Sequence, residues 1–305
     1  MRMLPRAVGP RLQRLAAFAL PVAAGGWALG CQAQTDSITW VVVDRPPVMI
    51  LKEGRVPASA AELGAGSADQ GLAAVIRRLP HYRHEFTLSN VARLWLDMER
   101  GRNLCYFAAL KTPARLAVAT FTPARLVPPQ AVLVRKARRQ ALVGSATRVS
   151  LAELVARAGA EGRVEKGRSY GPELDALLAT KPLASESMPN TGALLKPLAR
   201  GHFSFTIEYP QTLHYMVQHG QIPDALDLID IEEAGSWRES YVACTRNAWG
   251  QKVIQDIDRA IREASAGRAY RSAVMAWTPP ALLQAKRAEV QHFFDERSRG
   301  GPRIE

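Results

Sequence analysis

The sequence predicts an α/β protein built from two units of similar size, each a mostly parallel sheet flanked by helices. Three observations support this fold class. Apolar runs of strand length alternate with segments of helical periodicity from residue 38 onward, which is typical of parallel sheets. A second alternating series follows an extended segment at residues 130–134. The 305 residues, of which 47% are apolar, suffice for one or two domains with a sizeable core.

The first unit contains four predicted strands and two predicted helices. Residues 38–43 (ITWVVV) are rich in β-branched and aromatic side chains and predict a buried strand. Apolar residues recur at helical spacing between residues 68 and 79, and Pro80 ends that helix. The remaining elements are strands at 84–88, 104–110 and 116–121, and a helix that is capped by Ser89 or Asn90 and ends at Gly101.

The second unit repeats this alternation. Ser150 and Glu153 fit a capping box that opens a helix. A tight turn at 167–171 precedes Pro172, which suits the first position of a helix. The later elements are helices at 192–200, 212–219 and 248–264, and strands at 201–208 and 241–245. Two such units joined by extended segments form a cleft at their boundary, where ligands commonly bind.

Residues 1–33 have the organisation of a secretory signal peptide. Arginines precede an apolar run at 15–30, and the small-residue positions end at Ala33. We therefore expect a cleaved, exported, periplasmic protein. Two alternatives stay open: a retained membrane anchor, and a lipoprotein acylated at Cys31 within the sequence Ala-Leu-Gly-Cys. Beyond residue 34 no apolar run is long enough to cross a bilayer.

Export would leave two cysteines, Cys105 and Cys244, in an oxidising compartment. A bridge between them would close a long loop, which in the chain-entropy model contributes about 3–5 kcal/mol. Two buried free thiols are the alternative. No nearby pair of histidines completes a zinc site, so neither a metal nor another cofactor is expected.

The net charge of +12 raises the question of nucleic-acid binding. The positive charge is spread along the chain, and its densest late cluster, at 135–139, has no interleaved aromatic residues for base stacking. The basic residues therefore indicate a solvated surface, and we expect no nucleic-acid partner.

The order of several short motifs resembles that of the family 3 extracellular solute-binding proteins. The matching stretches cover nearly the whole chain after residue 33. They are Asp44–Pro47 ("YPP"), Gly66–Asp69 ("GFDxDL"), Met98–Asn103 ("LxxGKxD"), Thr112–Arg115 ("TxER"), Phe121–Pro123 ("FSxPY"), Ser150–Leu154 ("SLADL"), Leu198–Ser204 ("LxxGRVDA") and Tyr241–Arg246 ("YGIAVRK"). No single stretch is specific, whereas the ordered set is.

The resemblance implies the two-lobed periplasmic-binding-protein fold, with two hinge strands that join the lobes and let them close on a solute. The expected bounds are 34–134 for the first part of lobe 1, 135–239 for lobe 2, and 240–305 for the return to lobe 1. The expected hinges lie near Val134 and Tyr241. In this fold Cys105 and Cys244 both lie on strands of lobe 1, where a disulfide is geometrically feasible.

Arg115 is the first candidate ligand-binding residue. A guanidinium can bind a carboxylate with two parallel hydrogen bonds, and the matching arginine of the resembled family holds the ligand carboxylate. Thr112 can add a hydroxyl group beside it. Asp44 and Arg45 end the first predicted strand and could line the cleft; a turn-forming role is the alternative.

The second lobe supplies four further candidates. Ser169 and Tyr170 precede a helix start, where free backbone N–H groups favour an anion. Glu208 could neutralise a cationic group of the ligand, and Tyr209 could stack on it. The sequence departs from the resembled family here, because an aspartate often holds the ligand amino group at this place. Val48 likewise replaces a stacking aromatic residue, and Asn103 replaces an aspartate.

No complete catalytic motif is present, so we expect a binding protein rather than an enzyme. The expected function is capture of a small, carboxylate-bearing solute by a monomer, for delivery to an inner-membrane transporter. A solute-sensing module for a signalling partner is the alternative. A periplasmic enzyme resembling cyclohexadienyl dehydratase, with Glu208 as its acid or base, is a further one.

Overall fold

A computed structural model describes residues 9, 36–166, 168–187 and 192–305. The predicted signal peptide, apart from Gly9, and the proposed acylation site at Cys31 lie outside the described residues. In the described part of the chain, no helix is both long and apolar enough to span a membrane. The same residues contain no group of three or more histidine, cysteine, aspartate or glutamate side chains arranged to hold a metal ion.

The first sheet has five strands in the order β2-β1-β3-β11-β4. Strand β1 pairs in parallel with β2 and β3, and β11 is antiparallel to both β3 and β4. The strands are β1 (Ser37–Val42), β2 (Arg83–Leu88), β3 (Cys105–Ala109), β4 (Ala119–Val127) and β11 (Arg238–Thr245). We call this sheet and its helices lobe 1.

The second sheet has six strands in the order β6-β10-β5-β9-β7-β8. Three of its pairs are parallel, and β5 runs antiparallel to both of its neighbours. The strands are β5 (Ala131–Arg135), β6 (Arg148–Val149), β7 (Gly162–Glu165), β8 (Ala184–Glu186), β9 (Phe205–Glu208) and β10 (Leu226–Ile231). This sheet and its helices form lobe 2.

Helices cover both sheets. Lobe 1 has α1 (Ser67–Ile76), α2 (Val91–Glu99), α3 (Pro113–Leu116), α9 (Ala248–Ser265), α10 (Arg268–Val274), α11 (Pro280–Ala285) and α12 (Arg287–Arg299). Lobe 2 has α4 (Lys136–Val143), α5 (Leu151–Ala158), α6 (Pro172–Thr180), α7 (Leu195–Arg200) and α8 (Pro210–Gln218). The predicted mixed α/β class, with two mostly parallel sheets flanked by helices, is confirmed.

Each sheet has its own hydrophobic core. In lobe 1 the core includes β1, β3, β11 and one face of α9, where Val253, Ile254, Ile257 and Ile261 recur at helical spacing. In lobe 2 the apolar side chains of β5 alternate between two clusters. Val132 and Val134 pack on one face of the sheet, and Ala131 and Leu133 on the other. The residues of β5 are therefore all apolar except the last.

Four strands of lobe 2 were not predicted from the sequence, namely β6, β7, β8 and β10. The strand predicted at 116–121 begins only at Ala119, because the residues before it form α3. Pro113 occupies the first position of that helix, and the Thr112 hydroxyl accepts a hydrogen bond from the Arg115 backbone N–H at 3.3 Å.

The chain crosses between the sheets at 128–130 and at 232–237, a few residues before each predicted hinge. Val134 lies inside β5, in register with β9 and β10, and the predicted lobe boundary at 134 falls in the same strand. Cys105 and Cys244 are register partners on β3 and β11 and form a disulfide, with their Cα atoms 4.2 Å apart.

A tryptophan after α10 also connects the lobes. The indole N–H of Trp277 donates to the carbonyl of Ala65 in lobe 1 at 3.0 Å. Its ring lies edge-on to Tyr215 of α8, at 5.0 Å between centroids, and 5.1 Å from the ring of His219. Trp277 takes a left-handed backbone conformation (φ 71°), which is uncommon for a residue with a large side chain.

Candidate functional site

The cleft side of lobe 1 is formed by the turn after β1 and the start of α1. The backbone carbonyls of Pro47 and Val48 accept from Ser67 and Ala68 at the first turn of α1, at 3.0 and 2.8 Å. These contacts satisfy N–H groups that a helix start leaves free. They fix the turn that carries Asp44 and Arg45 against the helix.

Arg115 lies at the rim of this surface, half-buried, at the end of the short helix α3. Its guanidinium donates to the carbonyl of Leu110 at 2.8 Å and lies over the ring of Trp95, 4.5 Å from the centroid. Burial lowers the pKa of Arg115, and the charge of Arg45 lowers it further, whereas Asp175 of lobe 2 opposes the change. Arg115 therefore faces both its own lobe and the opposite one.

Arg125 is a second arginine of the cleft, and sequence reasoning missed it. It lies on β4 and is only 6% exposed. Its guanidinium donates to the Ser67 hydroxyl at 2.7 Å and to the Val274 carbonyl at 3.4 Å, and its Nε has no hydrogen-bond partner among the described residues. The available signal was a single basic residue inside the buried run Phe121–Val127.

The charges of three arginines act on the phenol of Tyr106. Burial raises the pKa of Tyr106, and the charges of Arg45, Arg125 and Arg115 all act in the opposite direction. Burial also lowers the pKa of Arg125 to about 10, with Arg45 contributing in the same direction. The contact partners that Arg115 and Arg125 have among the described residues are carbonyls, a hydroxyl and an aromatic ring, so neither guanidinium forms an ion pair with a carboxylate there.

The buried arginine of lobe 2 is paired with an acid. Arg168 forms two parallel hydrogen bonds with Glu208, at 2.6 and 2.5 Å, and both side chains are more than nine-tenths buried. Burial alone would raise the pKa of Glu208, yet the Arg168 guanidinium holds it below its usual range. Glu208 also accepts from the Tyr209 backbone N–H at 2.7 Å. Both of its oxygens are thus engaged, which leaves little capacity for a ligand cation or for proton transfer.

Ser169 and Tyr170 precede α6, and the protein supplies its own anion there. The Asp175 carboxylate accepts from the Ser169 hydroxyl at 2.5 Å and from the Tyr170 backbone N–H at 2.7 Å. The Tyr170 hydroxyl is also engaged, because it accepts from the Glu165 backbone N–H at 2.9 Å. An anionic ligand at this helix start would have to displace Asp175.

Tyr209 and Asp44 occupy two different edges of the cleft. The Tyr209 hydroxyl accepts from the Gln130 side chain at 2.8 Å, next to the first crossing between the lobes. Asp44 is exposed and lines a cavity of about 950 Å³ that also touches the start of α2 and, in lobe 2, Glu165 and Lys166. That cavity is not lined by Arg45, Arg115, Arg125 or Arg168. It is therefore separate from these arginines.

The structure brings some of the predicted residues together and separates others. The charged groups that act on the pKa of Arg115 come from both lobes: Tyr106 and Arg45 from lobe 1, and Asp175 and Tyr209 from lobe 2. Thr112 holds the helix that carries Arg115. Glu208, Ser169 and Tyr170 are occupied by partners within lobe 2. The arrangement favours an anion on the lobe 1 side of the cleft.

Comparison with known proteins gives a match in structure only. No family model matches the sequence, and neither does any curated protein. Among solved structures, a probable amino-acid ABC transporter extracellular-binding protein from Bacillus subtilis is 16% identical, with a TM-score of 0.61 over 81% of this chain and 100% of that one. A putative L-cystine ABC transporter structure from Listeria monocytogenes is 15% identical, with a TM-score of 0.61 over 79% and 95%.

A further solved structure, a single domain of a larger protein, is also similar. The VFT2 domain of BvgS from Bordetella pertussis is 14% identical, with a TM-score of 0.55 over 79% of this chain and 93% of that one. These likenesses extend over both sheets of the present chain and over nearly the whole length of each neighbour. The chain therefore has the two-lobed periplasmic-binding-protein fold that its motif order predicts.

Proposed function

We propose that this protein is exported and binds a small, carboxylate-bearing solute between its two lobes, for delivery to an inner-membrane transporter. The observation that carries the proposal is the position of Arg115. Its guanidinium is half-buried at the cleft, is held by a carbonyl and an aromatic ring, and meets no carboxylate within the described residues. The solute's carboxylate would supply the missing charge.

Closure of the lobes is the mechanism we propose. The crossings at 128–130 and 232–237 are the segments whose rotation would open the cleft, because every strand on either side of them is paired within its own sheet. Bound solute would bridge Arg115 and the lobe 2 surface near Asp175 and Tyr209, and so favour the closed form.

Thermal unfolding in the presence of candidate solutes tests the binding proposal. A ligand of the native state raises the melting temperature by mass action. We expect at least one carboxylate of a panel that also contains sugars and polyamines to do so, and Arg115→Gln to abolish the shift. Arg78→Gln is the matched control, since Arg78 also donates to one backbone carbonyl, at 2.8 Å, but projects from the end of α1. A shift that survives Arg115→Gln would contradict the role of Arg115.

A solute-sensing role is the second candidate, and the likeness to the BvgS domain favours it. The two roles differ in the partner of the closed form. Crosslinking of the solute-loaded protein to its native membranes, followed by identification of the product, distinguishes them. A permease supports transport, and a receptor with a signalling domain supports sensing. Solute recovered chemically unchanged after prolonged incubation would argue against an enzyme.

A further inference from the structure

The feature that the single-carboxylate proposal leaves unexplained is Arg125. This side chain is buried on β4, and the hydrogen bonds of its guanidinium to the described residues all come from one nitrogen atom. One Nη donates to the Ser67 hydroxyl and to the Val274 carbonyl, and Nε donates to nothing in the described chain. A buried cation without a carboxylate is costly, because the charge loses its hydration without electrostatic compensation.

Asp69, on the same helix as Ser67, does not pair with Arg125. Asp69 lies two residues after Ser67, yet its carboxylate accepts from the backbone N–H groups of Ile50 and Gly66, at 2.7 and 3.1 Å. The charges that act on Asp69 are those of Asp44 and Lys52. Arg125 and Asp69 are thus two buried charged groups of the same lobe that do not pair.

Other buried arginines of this protein do have acids. Arg168 pairs with Glu208, and Arg297, which is 1% exposed, pairs with Asp258 at 2.8 Å. Arg125 departs from this pattern. It is the register partner of Ser240 on β11, the next residue, Tyr241, pairs with Ala109 of β3, and Arg115 donates to the carbonyl of Leu110, which follows Ala109. Two guanidinium groups without acid partners are therefore held at the same level of the lobe 1 sheet, at the two strands that flank β11.

We infer that the solute is a small dicarboxylate, with one carboxylate bound by Arg115 and the second bound by Arg125 and Arg45. This inference rests on the proposed solute-binding function and specifies its ligand class. The lobe 2 acids support it indirectly: Glu208 and Asp175 are engaged by Arg168 and by the start of α6, so the solute needs no ammonium group to balance them.

Titration calorimetry with matched pairs of acids tests the inference. The probes are succinate and glutarate, compared with butyrate and pentanoate, which have the same chain lengths and one carboxylate fewer. A charge-assisted pair at a buried site corresponds to roughly a 10- to 100-fold gain in affinity. We expect one of the two diacids to bind at least about 10-fold more tightly than its monoacid, in line with that range.

Variants assign the two carboxylates. In Arg125→Gln the diacid should lose most of its advantage over its monoacid, because only Arg45 remains for the second carboxylate; the monoacid measured on the same variant is the reference. In Arg115→Gln both should weaken. Arg125→Lys, which keeps the charge but loses the planar pair of donors, should retain part of the preference for the diacid. This variant also keeps the test valid if Arg125→Gln does not fold.

Each outcome bears on one of the two proposals. Equal affinity of wild-type protein for diacid and monoacid would overturn the dicarboxylate inference and leave solute binding intact. A diacid preference that persists in Arg125→Gln would overturn the assignment to Arg125. If neither acid binds but a sugar or a polyamine does, the assignment of a carboxylate-bearing solute is wrong in both proposals. If nothing in the panel binds, solute binding itself fails.

Discussion

Arg168 and Arg125 are both buried arginines beside the same cleft, one in each lobe, and they differ in what surrounds them. Arg168 has a carboxylate that matches its planar donors in two parallel hydrogen bonds. Arg125 has a hydroxyl and a carbonyl. The Nε atoms of both arginines lack a hydrogen-bond partner among the described residues, so the difference lies in the acid. Arg168 has one within the protein, and Arg125 would gain one only from a ligand. The difference indicates that lobe 2 is internally satisfied and that lobe 1 carries the unmatched charge.

Lobe 1 is able to pair a buried arginine with an acid. Arg297 donates to Asp258 and to the Pro123 carbonyl, and Asp258 in turn accepts from the Thr122 hydroxyl at 2.7 Å. Pro123 lies only two residues before Arg125 on the same strand. A missing acid at Arg125 is therefore a property of that position and not of the lobe.

The largest effect is expected from Arg168→Met. This change leaves Glu208 buried without its cation. We expect the free energy of unfolding to fall by about 3–5 kcal/mol, the usual cost of breaking a buried ion pair. Urea unfolding monitored by circular dichroism measures it. Arg297→Met is the comparison in lobe 1, where the loss should be smaller because Asp258 keeps the Arg262 guanidinium at 3.1 Å. The double variant Arg168→Met/Glu208→Met should recover most of the loss, and a double variant as unstable as the single one would contradict the pairing argument.

Asp69 gives the next largest effect, as a dependence on pH. Burial raises its pKa to about 6, against the lowering effect of two backbone N–H groups. Since the folded pKa exceeds the unfolded one, the protonated form favours folding. This stability is complete below about pH 4 and is lost as the pH rises through 6. We expect the free energy of unfolding of wild type relative to Asp69→Asn to fall by up to about 3 kcal/mol between pH 4 and 7.

The sign of this pH dependence also tests whether Arg125 lacks an acid partner. If Arg125 compensated Asp69, ionisation of Asp69 would be favoured and the difference between the two proteins would rise with pH. Unfolding curves of both proteins at several pH values decide the sign.

Asp175→Ala should have a smaller effect. It removes the acceptor for the Ser169 hydroxyl and the Tyr170 N–H just before α6, and loss of such a hydrogen bond typically costs about 1 kcal/mol. The freed helix start should then accept an added anion, seen as a larger stabilisation by phosphate than in wild type. An unchanged response to phosphate would show that Asp175 does not block an anion site in lobe 2.

The smallest effect on stability is expected for Arg125→Met. Replacing a buried charge by an apolar side chain of similar volume is often neutral or stabilising. We expect the free energy of unfolding of the ligand-free protein to rise or to stay within about 1 kcal/mol of wild type. A loss of the size expected for Arg168→Met would show that Arg125 is a structural residue, and the comparison would fail.

The sequence predicted the alternation of strands and helices because buried parallel strands and amphipathic helices leave strong local patterns. It missed β10, Leu-Asp-Leu-Ile-Asp-Ile, where acidic residues interrupt the apolar ones, and the short strands β6, β7 and β8. At the candidate site, the motif at 112–115 identified Arg115 as a candidate ligand-binding residue. Arg125 was missed because burial and a missing partner are properties of three-dimensional packing, which no spacing in the chain reveals.

Glu208 is a second case in which the sequence could not predict the partner of a charged residue. Its position after a strand of lobe 2 was read correctly from the sequence, but its partner Arg168 lies 40 residues away in the chain. Only the register of β7 and β9 brings the two regions together. Which charges remain available to a solute depends on such long-range pairs.

The intrinsic fluorescence of Trp277 should report on the separation of the two lobes. Its indole is anchored to lobe 1 through Ala65 while its ring rests on Tyr215 and His219 of lobe 2. Opening of the cleft would move the ring from these side chains into water and shift its emission to longer wavelength. The difference spectrum between wild type and Trp277→Phe isolates this signal from that of the other tryptophans, so solute-driven closure can be timed in a stopped-flow instrument without an attached dye.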